Sequence, residues 1–131
     1  HMPRLAVQRV KIRFPFTKKV GIVATTGTLK SGIYDKEILD AGYEPVMPDT
    51  ALQEKVMKLL YDDIKQKDYV DRQLYHDIIH TMTKQFDADV VILACTELSV
   101  AQKRCRINDV FVIDAQLALV DECLKRTFPA K

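Results

Sequence analysis

The run Val90-Val91-Ile92-Leu93-Ala94 constrains the fold more than any other stretch of the chain. Five apolar residues lead directly into Cys95-Thr96-Glu97. A short strand that is apolar at every position is buried on both faces, which is the signature of a parallel sheet covered by helices. Cys95 then falls at the carboxyl end of the strand, the edge at which open α/β sheets bind ligands. Residues 97–103 read as the start of a helix. A helix N-terminus offers unpaired N–H groups and positive potential, which favour a thiolate. A packing role is the other reading, because free cysteine is among the most buried residue types.

The length, 131 residues with 47% hydrophobic content, suits one globular domain with a real core. His1-Met2 reads as a cloning remnant. The longest apolar run, Val90 to Cys95, is too short to span a membrane, and Leu5-Ala6-Val7 is too short for a signal peptide. The three cysteines, Cys95, Cys105 and Cys123, lack both metal-site spacing and an even count, so a reducing cytoplasm is expected. The net charge of +2 is unevenly spread. Residues 1–19 carry six basic side chains (Arg4, Arg9, Lys11, Arg13, Lys18, Lys19) and no acidic one. The remainder is net −4 and offers no cationic field for nucleic acid.

Residues 3–17 alternate Val10, Ile12, Phe14 and Phe16 with Arg9, Lys11, Arg13 and Pro15. Period two predicts an extra N-terminal strand, with Pro15 at its exit. The body starts with a strand at 19–24, followed by Thr25-Thr26-Gly27-Thr28 and a helix over about 29–41, ended by Gly42 in the left-handed region. A short strand at 43–47 stops at Pro48. Asp49 or Thr50 caps a helix to about 66, with Leu52, Val56, Leu59, Leu60 and Ile64 inward. A second helix over 70–86 turns Leu74, Ile78 and Met82 inward. Residues 103–108 are a polar loop, and 109–113 a fourth strand. Asp114 caps a last helix over 115–128 with Leu117, Val120, Leu124 and Phe128 apolar. Strands alternating with helices predict an α/β fold. It is a single three-layer domain with a four-stranded parallel sheet flanked by helices, plus the extra N-terminal strand. Residues 1–17 stand outside the domain at 18–131.

The Thr25–Thr28 loop is the second chemical signal. Between a strand and a helix, its hydroxyls and amides can face an anion, and Gly27 lets the backbone come close. Equally, threonines there are ordinary caps. The loop lacks the glycine spacing and lysine of a nucleotide-binding loop. Its interest is position, because it shares one sheet edge with Cys95. His76 and His80, four apart on a helix, have metal-ligand spacing but lie about 200° from the inward positions, so no metal site is expected. Cys105 sits between Arg104 and Arg106, a setting that lowers a thiol pKa, and Cys123 reads as packing.

Four segments together resemble the aspartate/glutamate racemase family. They are Lys19-Val20-Gly21-Ile22-Val23-Ala24-Thr25-Thr26-Gly27-Thr28, Ser31-Gly32-Ile33-Tyr34, Tyr61-Asp62-Asp63-Ile64-Lys65 and Ile92-Leu93-Ala94-Cys95-Thr96-Glu97-Leu98. Order and spacing agree over about 18–128, and the second and third segments favour the aspartate-racemase branch. The resemblance implies a cofactor-independent isomerase in which two cysteines flank the α-carbon of a small acidic amino acid. Carried over, Cys95 resembles one of the two. Thr28 and Thr96 match threonines that hold the substrate carboxylate, with Thr25 close by. Lys65 matches a lysine that reaches a carboxylate, and Glu97 can orient or tune the site.

The family has two similar α/β domains with the site between them, and this chain is similar to the second. The partner cysteine belongs to a Cys-Asn-Thr-like motif of the first domain, which this sequence does not contain. The resemblance therefore implies half a site. Two alternatives stand beside it: a one-cysteine, decarboxylase-like enzyme of the same superfamily, or a non-catalytic carboxylate-binding module. The apolar stripe of the last helix and the 10–16 segment predict self-association, hence a homo-oligomer.

Overall fold

The protein is described here from a computed structural model, in which residues 1–127 are placed. Its sheet has four parallel strands: β1 (Lys19–Val23), β2 (Glu44–Val46), β3 (Val90–Leu93) and β4 (Val112–Asp114), in the order β2-β1-β3-β4. β3 lies against β1 over four residues, Val20 opposite Val90 through Val23 opposite Leu93. Every residue of β3 is buried, as its unbroken apolar composition requires. Gly21 is a packing requirement of the same pair of strands. A Cβ there would stand 2.8 Å from Met82 Cε and 3.1 Å from Ala88 Cβ.

Helices cover both faces, so the expected three-layer α/β architecture with four parallel strands is the one observed. One face is packed by α1 (Met2–Arg13), α3 (Ile33–Asp40) and α7 (Ala115–Thr127). The other is packed by α4 (Thr50–Met57), a π-helical segment Lys58–Lys65, α5 (Arg72–Lys84) and α6 (Thr96–Arg104). The stripe Leu52, Val56, Leu59, Leu60 and Ile64 is buried as its spacing predicts. Asp49 caps α4 through Leu52 N, at 2.8 Å.

The N-terminal strand is not observed. Residues 2–13 form helix α1 instead. The alternation of Val10, Ile12, Phe14 and Phe16 misled because Ile12 and Phe16 are in solvent, whereas Pro3, Ala6, Val7 and Val10 bury at helical spacing. Pro3 is tolerated because it sits in the first turn, where the N–H has no helical partner. Lys11 and Arg13 sit in the last turn, where cations suit the helix dipole. The basic lead is therefore the polar face of a helix packed on the sheet.

Two further elements differ from expectation. The helix expected over 29–41 is divided into α2 (Thr26–Ser31) and α3 by Gly32, at φ 71°. Gly42, at φ 89°, follows α3 as anticipated. The loop at 103–108 also packs more tightly than its polarity suggests. Cys105 is buried in the core rather than held out among its arginines, and Ile107 is buried with it. Cys123 is exposed on α7 instead of packing. The expected apolar position at Phe128 lies outside the described residues. Among those residues, no helix is long and apolar enough to cross a membrane.

Candidate active site

The strand order reverses between β1 and β3, because β2 lies on the far side of β1 and β4 on the far side of β3. The crevice at the carboxyl edge of such a switch is where open α/β sheets take ligands. Ala94 N donates to Val23 O at 2.9 Å, which holds the two strand ends side by side. Thr25 follows one end and Cys95 the other.

Cys95 is extended (φ −156°, ψ 161°) and is the residue from which α6 starts. Its side chain lines a cleft of about 390 Å³ with Met2, Lys65, Thr96, Glu97, Gln116 and Leu119. Four residues expected at a site are thus brought together: Cys95, Thr96, Glu97 and Lys65. Lys65 arrives from the π-helical segment, and its Nζ lies 3.6 Å from Glu97 Oε1 and 4.6 Å from the centre of the Tyr61 ring. The cation is held by one carboxylate and one aromatic face, both weak tethers at a partly exposed position. An incoming anion can take Lys65 from Glu97 at little cost.

Thr25 and Thr28 are not in that cleft lining. They engage each other: Thr25 Oγ1 donates to Thr28 Oγ1 at 3.0 Å and accepts from Thr28 N at 3.2 Å. The capping role of this loop is therefore observed. Thr26 faces a second, larger cleft of about 630 Å³, shared with Gln53, Met57 and Tyr61. Gln53 Nε2 donates to Ala24 O at 3.0 Å and pins the start of the loop.

Sequence reading missed Met2, Gln116 and Leu119. Gln116 was within reach, since it lies two residues beyond the carboxyl end of β4. Asp114 accepts from Ser99 Oγ at 2.7 Å and from the amides of Gln116 and Leu117, which ties the start of α7 to α6. Met2 had no local signal; only the packing of α1 brings it to the cleft.

The electrostatics of Cys95 reverse one expectation. Burial pushes its thiol up from about 9 to about 11. The amides of Leu98 and Glu97 pull it down, as a helix N-terminus should, but the Glu97 carboxylate adds to burial. Desolvation wins, and Cys95 is a thiol at neutral pH. A raised folded-state pKa stabilises the fold fully below about pH 9, and that contribution is lost as pH rises through about 11. Urea midpoints measured from pH 8 to 11.5 are expected to fall more steeply for the parent protein than for Cys95→Ala, the difference reporting this thiol.

The histidines serve the scaffold. His76 Nε2 lies 2.8 Å from Cys105 O and His80 Nε2 lies 2.9 Å from Asp109 Oδ2, tying α5 to the 105–109 loop. The described residues contain no group of three or more side chains suited to hold a metal ion.

Comparison with known proteins agrees with this fold. The model of the Asp/Glu/hydantoin racemase family matches residues 1–123, a span that takes in α1. A protein of Pectobacterium carotovorum subsp. carotovorum, described as the uncharacterized protein in the pnlA 3′ region, is 28% identical over 117 residues. That alignment covers 88% of this chain and 75% of that protein. The aspartate racemase of Picrophilus torridus is 27% identical with a TM-score of 0.72, over 96% of this chain and 51% of that one. An aspartate racemase homologue from Pyrococcus horikoshii OT3 shares the fold, with a TM-score of 0.78 at 20% identity, over 95% of this chain and 54% of that one. The chain spans about half the length of these solved structures. With a family match over nearly its whole length, the chain belongs to the Asp/Glu/hydantoin racemase family.

Proposed function

We propose that the chain carries one thiol arm of a cofactor-independent racemase site for a small acidic amino acid, aspartate or glutamate in type. The observation that carries this reading is Cys95 at the switch-point crevice, in one cleft with Lys65, Thr96 and Glu97. Lys65 supplies the charge that receives a carboxylate. Thr96, exposed at the first turn of α6, adds a hydroxyl donor, and Thr28 and Thr25 stand at the neighbouring strand end. Donors placed where negative charge develops are what a carbanion beside a carboxylate needs. Glu97 holds Lys65 until substrate arrives.

In this reading Cys95 gives its proton to one face of the α-carbon: the S–H bond breaks, a C–H bond forms and the sulfur is left as thiolate. The reverse step, from thiolate, removes the proton. Inversion also needs a second acid/base on the opposite face. Among the described residues no other cysteine lines the cleft, since Cys105 is in the core and Cys123 is on the exposed side of α7. In this reading the chain supplies half of a site. Chiral chromatography of L- or D-aspartate and glutamate incubated with the purified chain is expected to show no interconversion. Conversion at a rate that scales with protein concentration and is lost in Cys95→Ser would contradict the half-site reading.

A second reading has one observation in its favour. A thiol held protonated at neutral pH is suited to donate, and decarboxylation of a substituted malonate needs only a proton donor once CO2 has left. Release of CO2 from such a substrate, lost in Cys95→Ser, would favour it over racemisation.

Self-association belongs to the same proposal. Leu117, Val120 and Leu124 on α7 are about half exposed, and Phe16 and Phe111 form a second exposed apolar patch. Phe14, Phe16 and Phe111 stack within 6.2 Å of one another. Exposed apolar surface of this extent predicts a partner, here a second copy. Light scattering should give a dimer mass that falls toward monomer in Leu117→Lys/Leu124→Lys; a monomer for the parent at micromolar concentration would refute it.

A further inference from the structure

Asp63 takes no part in the chemistry proposed above, yet it is the one buried carboxylate among the described residues, 4% exposed. Its Oδ2 accepts a hydrogen bond from Lys58 Nζ at 3.4 Å. The two residues are five apart, and Lys58 opens the π-helical segment that ends at Lys65. In an α-helix, at about 100° per residue, side chains five apart point about 140° away from each other and do not meet. A π-helix bonds each residue to the fifth along, which brings such a pair onto one face. Leu59 and Ile64, also five apart, are buried together on the same terms.

That geometry decides where Lys65 goes. A wider turn takes in an extra residue, and each such residue turns everything after it by about 100° relative to a helix that continued α4 unchanged. With the π-helical turn in place, Lys65 lines the cleft of Cys95, 3.6 Å from Glu97 Oε1 and 4.6 Å from the centre of the Tyr61 ring. With the regular winding of α4 carried through, it would face elsewhere.

We propose that the Lys58–Asp63 pair is the clamp that keeps residues 58–65 π-helical, and that Asp63 is in this way the positioning residue for Lys65. The proposal rests on Lys65 being the group that receives the substrate carboxylate. Asp63 is suited to the task because it is buried: a winding that parts it from Lys58 leaves an unpaired charge in the interior, which is costly. Its main-chain carbonyl accepts from Tyr69 N at 3.1 Å, so one residue ties both the entry and the exit of the segment. Asp62, its neighbour, is exposed and serves as the control.

The test reads Lys65 itself. Its Nζ stands over the Tyr61 ring, so the ring current shifts the adjoining Lys65 methylene protons upfield, a solution NMR signature of the seated lysine. Asp63→Asn, which keeps the shape, and Lys58→Met, which keeps the length, each remove one charge of the clamp. Both are expected to return those signals to their random-coil position, whereas Lys58→Arg and Asp62→Asn leave them in place. A merely structural role would lower the urea midpoint and leave the Lys65 signals upfield; that result in either folded variant overturns the proposal. Should Asp63→Asn fail to fold, Lys58→Met, at an exposed position, decides alone. The second measurement is a chemical-shift titration with L-aspartate. Asp63→Asn and Lys65→Ala should each weaken binding by about tenfold or more, and the double variant should bind no more weakly than Lys65→Ala. Losses that multiply in the double variant overturn the proposal. If the parent protein does not bind L-aspartate, the carboxylate reading of Lys65 fails, while the upfield signals still decide whether the clamp exists.

Discussion

Val10→Asp unfolds the protein, whereas Ile12→Asp leaves its stability within about 0.5 kcal/mol of the parent. The two positions share one face of a strand but lie on different faces of a helix. Val10 is fully buried in α1 and Ile12 is 77% exposed. α1 supplies Ala6, Val7, Val10 and Phe14 to the face of the sheet that holds Val20, Ile22, Val90 and Ile92. Burial of Val7, Val10 and Phe14 is worth roughly 1.5–3 kcal/mol each. Together that approaches the whole stability of an ordinary domain, about 5–15 kcal/mol. An unpaired carboxylate at Val10 adds a desolvation cost of several kcal/mol. Removal of residues 1–17 has the same consequence, because it bares the central strands. Urea melts followed by circular dichroism decide the matter: equal effects at positions 10 and 12 would mean that the segment is not a packed helix.

Much of this architecture is legible in the chain itself. The unbroken apolar run at 90–94, the caps Asp49 and Asp114 and the terminator Gly42 all act locally, and each is found where its chemistry puts it. What failed was decided at longer range. In residues 3–17 two periodicities compete, and the helical one wins because Pro3, Ala6, Val7 and Val10 meet a sheet face that the segment alone does not reveal. The π-helical turn that carries Tyr61 and Lys65 has no local marker, although such turns gather at functional sites. The helix N-terminus at Cys95 was legible, but its effect on the thiol was not. The burial that outweighs it depends on how remote segments pack, and Met2 from α1 and Leu119 from α7 reach the same cleft.

That burial shapes the second large effect. Cys95→Ser is expected to remove all exchange of the substrate α-proton with solvent, because a serine hydroxyl is far too weak an acid to cycle as the thiol does. In the parent, exchange is expected to be slow near neutral pH, where the thiolate fraction at Cys95 is on the order of one in ten thousand, and to rise about tenfold per pH unit toward pH 10. Lys65→Ala weakens carboxylate binding by roughly 10- to 100-fold, the worth of a charge-assisted contact, without shifting that pH dependence.

The central claim is that Cys95 works on one face of an acidic amino acid, in a site whose other face this chain does not furnish. The direct measurement is incubation of each enantiomer of aspartate and glutamate with the protein in D2O, followed by chiral separation and mass analysis of the recovered amino acid. The account predicts deuterium at the α-carbon of one enantiomer with configuration retained, growing with pH and absent in Cys95→Ser. Deuterium appearing with inversion in both enantiomers, or exchange that persists without Cys95, would contradict it.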